Sequence, residues 1–380
     1  MSSNDYILEV SWGCPSEKWP INGIFQFDQA KAISNAGKRV VFLALDLRSI
    51  RRWRKWGLNK FDKNGIEVYE YNFPLGGFKP SIKYAVQDYA FRRGIKTIVK
   101  ELGHPACVHI HCCQQAISVS DYCLANNIPY IITEHITPLN EGEEIEKRKK
   151  ETLEHTKQLI CVSNALAKDM KDTYGVDSVI IPNIVDLTEF KYTPKQKTDT
   201  FRFLSAASVN YGKGFDVLVK AYAKFLRDAK NLSDSGYEDT HLTIMGDGPE
   251  LNNIKELANS LGISDKITFT GSYVRSDFAK ELAKSDCFVL PSRSETFGIV
   301  YIEALATGTP VIATRCGGPE DFVNEENGML VDVDDEIYLS SLFQKAISRE
   351  SNWQYEEMSA RIDVRYSSLK IAEQIIECTI

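Results

Sequence analysis

No apolar run in the sequence approaches the ~18 residues that a bilayer-spanning helix needs, so no transmembrane helix is expected. The first residues, "MSSNDYILEVSW", lack a basic segment followed by an apolar one, which argues against a secretory leader. Short internal repeats and low-complexity tracts are missing, which sets aside solenoids and arrays. The nine cysteines are odd in number and show none of the CxxC spacings of structural zinc sites. A reduced, cytoplasmic chain is the simplest reading. His104, Cys107, His109, His111, Cys112 and Cys113 do crowd together, and zinc uses these residue types. Because "CVHIHCC" also alternates as a buried strand does, no metal is expected.

What is present fits a globular protein of two domains. A chain of 380 residues is long for one domain and can bury two cores. Its charge is unevenly spread. Residues 31–100 hold 16 Lys and Arg against 5 Asp and Glu, in a chain whose net charge is −7. The acidic remainder argues against nucleic acid as a partner. The basic excess is densest in residues 47–60, where Trp53 and Trp56 interleave with Arg48, Arg51, Arg52, Arg54 and Lys55. Cationic residues interleaved with Trp suit a peripheral membrane surface, the alternative being a solvated loop or short helix.

Short β-branched or aromatic runs alternate with segments of helical period. The first half holds "YILEVSW", "RVVFLALD", "IEVYEYNF", "CVHIHCC", "YIITEH", "QLICVS" and "SVIIPN", with helices such as Ile24 to Ala36 and Ile82 to Leu102 between them. This alternation predicts βα units and a largely parallel sheet. Residues 1–186 form the first domain on this reading. The polar stretch 187–200, with Pro194, reads as a linker. Alternation restarts over 201–352 with "FRFLSAAS", "HLTIMGDG", "KITFTG", "DCFVLPS", "PVIATRC" and "GMLVDV". Two doubly wound α/β domains are therefore expected to face each other across a cleft. Ligands of such sheets bind outside the carboxyl ends of the strands.

In "CFVLPSRSETFGIVYIEALATGTPVIATRCGG" a strand ends near Pro291, a helix is predicted from Thr296 to Thr307, and another strand follows. Glu295 precedes the helix and Glu303 lies two turns in, about 12 Å further at 1.5 Å per residue. That is about the reach from a hexose to a ribose across a diphosphate. The intervening helix start, with the N–H groups of Phe297, Gly298 and Ile299, suits phosphate.

The two glutamates separated by seven residues, followed by "ALATGTPVIAT" and "GG", resemble the signature of glycosyltransferase family 4. Other segments keep that family's order. "YGKGFDVLVKAY" resembles its Lys-Gly segment, and "MGDGPELNNIKEL" its Gly-x-Gly-Pro turn at Gly246. "IPNIVDLTEF" resembles its interdomain segment, "ITEH" its histidine-bearing strand end, and "PINGIFQFDQAKAISNAGKRV" its first glycine loop at Gly23. The resemblance implies the GT-B fold, with the last stretch, 353–380, a helical segment crossing back to the first domain. It implies transfer of a sugar, with retention at the anomeric carbon, from a nucleotide-diphosphate sugar (UDP before GDP) to a glycan or lipid-linked acceptor. It implies that Lys213 binds the diphosphate, that Glu295 reads sugar hydroxyls, that Glu303 reads the ribose, and that His135 positions the sugar. No cofactor or metal is implied. Cell-surface polysaccharide or glycolipid assembly at the inner face of the membrane would suit it. Ser208 stands where the family often has an arginine five residues before the lysine, and Ile184 where glycine is usual. A non-catalytic sugar-nucleotide binder and a GT-B epimerase are the competing readings.

Overall fold

The structure is a computed structural model that describes residues 5–19, 22–47, 54–74, 80–195, 198–231, 239–348 and 353–380. The chain divides into two compact units: Met1–Ile184 with Tyr366–Ile380, and Val185–Arg365.

The strands of the first unit are β1 (Tyr6–Ser11), β2 (Arg39–Asp46), β3 (Gly57–Lys63), β4 (Ile66–Asn72), β5 (Cys107–His111), β6 (Tyr130–Glu134), β7 (Gln158–Cys161) and β8 (Val179–Ile180). They form one sheet in the order β3-β4-β2-β1-β5-β6-β7-β8. All neighbours pair in parallel except β3, which is antiparallel to β4. Helices α1 (Ile24–Asn35), α2 (Pro80–Leu102), α3 (Cys113–Ala125), α4 (Glu143–Glu154) and α5 (Asn164–Tyr174) supply the crossovers. Every residue of β1, β5 and β6 is buried, as expected of a parallel sheet covered on both faces. The strand order reverses between β1 and β5, so the loops leaving their carboxyl ends open a crevice.

The second unit holds β9 (Phe201–Ala206), β10 (Thr240–Met245), β11 (Ile267–Gly271), β12 (Cys287–Leu290), β13 (Val311–Thr314) and β14 (Gly328–Val331). Their order is β11-β10-β9-β12-β13-β14, parallel throughout, and it reverses between β9 and β12. Its helices are α6 (Phe215–Asn231), α7 (Leu251–Ser260), α8 (Arg275–Lys284), α9 (Ile299–Ala306), α10 (Glu336–Ser348) and α11 (Tyr355–Arg365). The last helix, α12 (Ser368–Thr379), packs on α1 in the first unit through buried Ile371, Ala372, Ile375 and Ile376.

Four expectations need correction. β3 takes up the end of the stretch 47–60, from Gly57, which the alternative reading gave to a solvated loop or short helix, because "GLNKFDK" pairs with β4 as an edge strand. Within the same stretch Arg54 turns inward. Its Nη2 donates to Asp46 Oδ1 at 2.7 Å, and its guanidinium lies 5.1 Å from the Trp56 ring centroid. Residues 48–53, with Trp53 and the remaining arginines, lie outside the described residues. The stretch 187–200 is no free linker: Leu187 and Phe190 are buried, and Phe190 meets Phe278 edge-on at 5.9 Å. Finally, the return to the first unit begins at Tyr366 rather than 353, since α11 packs on α9.

Candidate functional site

In the second unit the loops after β9, β10, β12 and β13 are tied together at the point where the strand order reverses. The loop after β9 carries exposed Ser208 and then a short 3-10 turn, Tyr211–Lys213. The loop after β10 is held beside it, since Val209 N donates to Asp247 O at 3.0 Å. Gly246 there has a φ of 146°, and a Cβ on it would sit 1.9 Å from the Ala207 carbonyl oxygen. Only glycine lets these two loops lie so close.

Arg293, after β12, clamps the Lys213 turn. Its backbone N donates to Gly212 O at 2.8 Å and its Nη1 to Tyr211 O at 2.6 Å. The guanidinium forks onto Asp216 with both bonds at 2.9 Å, reaches Asp334 at 2.8 Å, and lies 4.0 Å from the Tyr211 ring centroid. A planar fork suits a carboxylate in this way, and it fixes where Lys213 begins.

Lys213 Nζ donates to Glu295 Oε1 at 2.6 Å, and Ser292 Oγ donates to the same oxygen at 2.9 Å. The Glu295 backbone bridges to the glycine loop after β13: Glu295 N donates to Cys316 O at 3.2 Å, and Gly318 N donates to Glu295 O at 2.7 Å. Glu295 is therefore an anchored loop residue rather than a helix cap.

The helix expected from Thr296 starts three residues later, at Ile299. Gly298 is the cause. It caps α9 in the left-handed region with φ 95°, and a Cβ on it would meet the Tyr301 ring at 2.7 Å. Phe297 is not part of the helix start: it is buried against Phe322, with ring centroids 6.0 Å apart. The first N–H groups of the helix are those of Ile299 and Val300, while Tyr301 N already donates to Gly298 O at 3.1 Å. Because half of the Glu295–Glu303 segment is non-helical, the 12 Å rise inferred for a continuous helix does not apply.

Glu303 is only 5% exposed. Arg275, the first residue of α8, compensates its charge: Nε and Nη2 donate to Oε1 at 2.9 and 2.7 Å. The guanidinium also lies 5.4 Å from the Phe190 ring centroid. Burial, with the Glu303 carboxylate adding to it, pushes the Tyr273 hydroxyl up to about 12, so it remains a donor.

In the first unit, Gly23 precedes α1 in the crevice loops, with Gly13 beside it. His135 follows β6 on the same carboxyl edge. His135 Nε2 lies 3.0 Å from His111 Nδ1, and its backbone N donates to Glu134 Oε1 at 3.0 Å. Behind it Glu9, His109, His111 and Thr133 are wholly buried and hydrogen-bonded to one another. Of the cysteines and histidines that crowd together in the sequence, His109 and His111 meet with Glu9 among the described residues, without a cysteine. All nine cysteines are free thiols.

A profile of glycosyl transferases group 1 matches residues 188–363, and one of glycosyltransferase family 4 matches residues 28–189. The chain belongs to glycosyltransferase family 4. Among curated relatives of the family it is 32% identical to the alpha-monoglucosyldiacylglycerol synthase of Streptococcus pneumoniae, over 41% of this chain and 36% of that protein. The chain spans about half or less of the length of the curated relatives it matches. Among solved structures, sucrose-phosphate synthase from Thermosynechococcus elongatus superposes with a TM-score of 0.77 at 19% identity, over 98% of both chains. HepE of Anabaena, in complex with UDP, does so with a TM-score of 0.72 at 16% identity, again over 98% of both. The fold is therefore GT-B, built of two Rossmann-like units. Within this family member, sequence reasoning missed Arg275, Arg293, Ser292, Glu9 and the roles of His109 and His111. Arg293 was the most accessible of these, two residues before Glu295 in "SRSETFG".

Proposed function

We propose that the chain is a retaining glycosyltransferase that moves a sugar from a nucleotide-diphosphate sugar, UDP-linked before GDP-linked, to an acceptor hydroxyl. One observation carries this reading. A single edge of the second sheet gathers a lysine, two carboxylates and a helix N-terminus at the strand-order reversal. Lys213 and the N–H groups at the start of α9 would stabilise the leaving diphosphate, so no metal is invoked. Glu295 would accept hydrogen bonds from donor-sugar hydroxyls, and Glu303 from ribose hydroxyls. Gly246, Gly298 and Ile299 would line the donor site of the second unit, and Gly23 and His135 are the candidate residues of the first. UDP is placed first because HepE, a neighbour in fold, was solved with UDP.

A glycan or lipid-linked acceptor in cell-surface polysaccharide or glycolipid assembly suits a relative that is a glucosyldiacylglycerol synthase. The chain would then work at the cytoplasmic face of a membrane, with residues 47–60 as the peripheral contact. Among the described residues, no helix is long and apolar enough to cross one. Arg54 is committed to Asp46 and is excluded from that contact.

Ser208 favours a second reading, a sugar-nucleotide binder without turnover, because it leaves the diphosphate without the arginine often found there. The test is a thermal-shift panel of UDP-, GDP- and ADP-sugars without added metal. A shift with one nucleotide family, lost in Glu303→Ala, supports the donor site. Hydrolysis or transfer of the intact donor then separates the enzyme from the binder. No shift with any donor would overturn the assignment.

A further inference from the structure

The buried polar group behind His135 determines where the histidine protons lie. Glu9 on β1 stands directly opposite His109 on β5, and His111 opposite Thr133 on β6. Residues two apart on a strand share a face, so Glu9, His109, His111, Thr133 and His135 line one face of three adjacent strands. Glu9 Oε1 lies 3.0 Å from His109 Nδ1, and Glu9 Oε2 lies 2.9 Å from His111 Nε2. His109 Nε2 lies 2.7 Å from Thr133 Oγ1, and His111 Nδ1 lies 3.0 Å from His135 Nε2. The rings of His111 and His135 stack with centroids 5.3 Å apart.

The protons can be counted. Burial raises the Glu9 carboxyl, but its interactions with His109 first and with His111 outweigh it and hold the group down at about 2. Glu9 is therefore ionised, and an ionised carboxylate only accepts. His109 Nδ1 and His111 Nε2 must both carry hydrogen. Burial keeps His111 neutral, at about 4, against the opposing bond from Glu9. A neutral imidazole has one N–H, so His111 Nδ1 is a bare acceptor. Its contact with His135 is a hydrogen bond only if His135 Nε2 is the donor. The opposite arrangement would set two lone pairs 2.9 Å apart at Glu9, a separation too short to admit a water between them. His135 is itself pushed well below the usual histidine value, first by burial and then by His111, with an Asn183 side-chain bond opposing. It is neutral and carries a single N–H.

We propose that Glu9 and His111 are positioning residues that lock His135 in its neutral Nε2–H tautomer, with the orientation of every hydrogen bond in the chain dictated by the Glu9 carboxylate. The inference rests on the reading of His135 as a donor-sugar residue only for its effect on turnover. The tautomer itself requires no substrate.

The first measurement is therefore ring-nitrogen NMR of the full, uniformly 15N-labelled chain near neutral pH. With six histidines in the sequence, the rings can be assigned by single substitution. Protons on Nε2 of both His111 and His135 support the proposal. A proton on His135 Nδ1, a doubly protonated His135, or a stoichiometric bound transition metal on the Glu9–His109–His111 group would overturn it. His111→Phe then removes the acceptor: His135 should lose its single-tautomer signature, and kcat should fall about tenfold or more with donor KM little changed. A His135 tautomer that survives His111→Phe would overturn the relay, as would full kcat once the tautomer is lost. Where that variant does not fold, the wild-type spectrum decides alone. Absence of any turnover in a protein with the expected tautomers would sink the transferase reading and leave the proton assignment standing.

Discussion

On the proposed reading, Glu295→Gln should tighten the grip on free UDP while reducing transfer. Lys213 Nζ is engaged by Glu295 Oε1 at 2.6 Å, in side chains that are 26% and 11% exposed. A diphosphate that takes Lys213 must first break this contact. Partly exposed ion pairs contribute little, and a charge-assisted hydrogen bond more; about 1–2 kcal/mol is a reasonable value between them. Glutamine keeps the shape and still accepts from Ser292, but it gives up the charge. Removing the competitor should lower the UDP Kd by about five- to thirtyfold, at 1.4 kcal/mol per tenfold. The same change removes the acceptor for sugar hydroxyls, so kcat with the intact donor should fall by about a hundredfold. Isothermal titration of UDP against wild type, Glu295→Gln, and Glu295→Gln with Lys213→Met measures the first effect. The double variant should lose the gain. An unchanged or weaker UDP affinity in Glu295→Gln would refute the competition, and with it the placement of the diphosphate on Lys213.

Three other perturbations test separate parts. Glu303→Gln should weaken the nucleotide sugar by about five- to thirtyfold through lost charge at the ribose, again by titration, and an unaltered Kd would remove Glu303 from the site. Gly298→Ala forces a side chain into φ 95° and into the Tyr301 ring, so it should cost about 1–3 kcal/mol, visible as a lower melting temperature; no change would contradict the α9 cap. Acid should weaken the protein in two steps. The folded value of His111, about 4, lies below its usual 6.5, so the unfolded chain takes up the proton first and stability is lost as pH falls from 6.5 towards 4. Glu9, lowered from 4.5 to about 2, has the same sign and extends the loss between those values. Urea midpoints across pH 7 to 4 should fall by an amount equivalent to about 1 kcal/mol per pH unit for each histidine kept neutral, and a flat profile would contradict the buried network.

The parallel strands were legible because burial on both faces demands continuous apolar runs, and "VVFLAL" or "YIIT" has few other uses. β3 was hidden for the opposite reason: an edge strand pairs on one side only, so Lys60, Phe61 and Asp62 stay exposed. The start of α9 was misread because "ETFG" can continue a helix in composition, and the left-handed φ of Gly298 leaves no mark in the sequence. Lys213 and the two glutamates stood out through local context. Their partners did not. Arg275 is 28 residues from Glu303, Lys213 is 82 from Glu295, and Glu9 is 100 from His109. Only strand order brings such pairs together, and charge pairing across strands has no period to detect.

Both carboxylates assigned to the donor are held by a cation, and on the proposed reading this has a consequence for turnover. A largely buried carboxylate without a partner is costly, and Lys213 and Arg275 offset that cost. An intact nucleotide sugar satisfies both ends of the exchange at Lys213: its hydroxyls replace the lysine at Glu295 as the diphosphate takes the lysine. A nucleoside diphosphate takes the lysine and offers Glu295 nothing. Once the sugar has been transferred, Glu295 can reclaim Lys213, and the product loses its principal cation at the moment it must leave. On this reading, discrimination between substrate and product would reside in one ion pair rather than in added contacts. In Glu295→Gln that pull on Lys213 is gone, so the tighter UDP binding should appear mainly as slower dissociation. Stopped-flow displacement of UDP measures this directly, and an unchanged off-rate would show that Lys213 does not pass between the two anions.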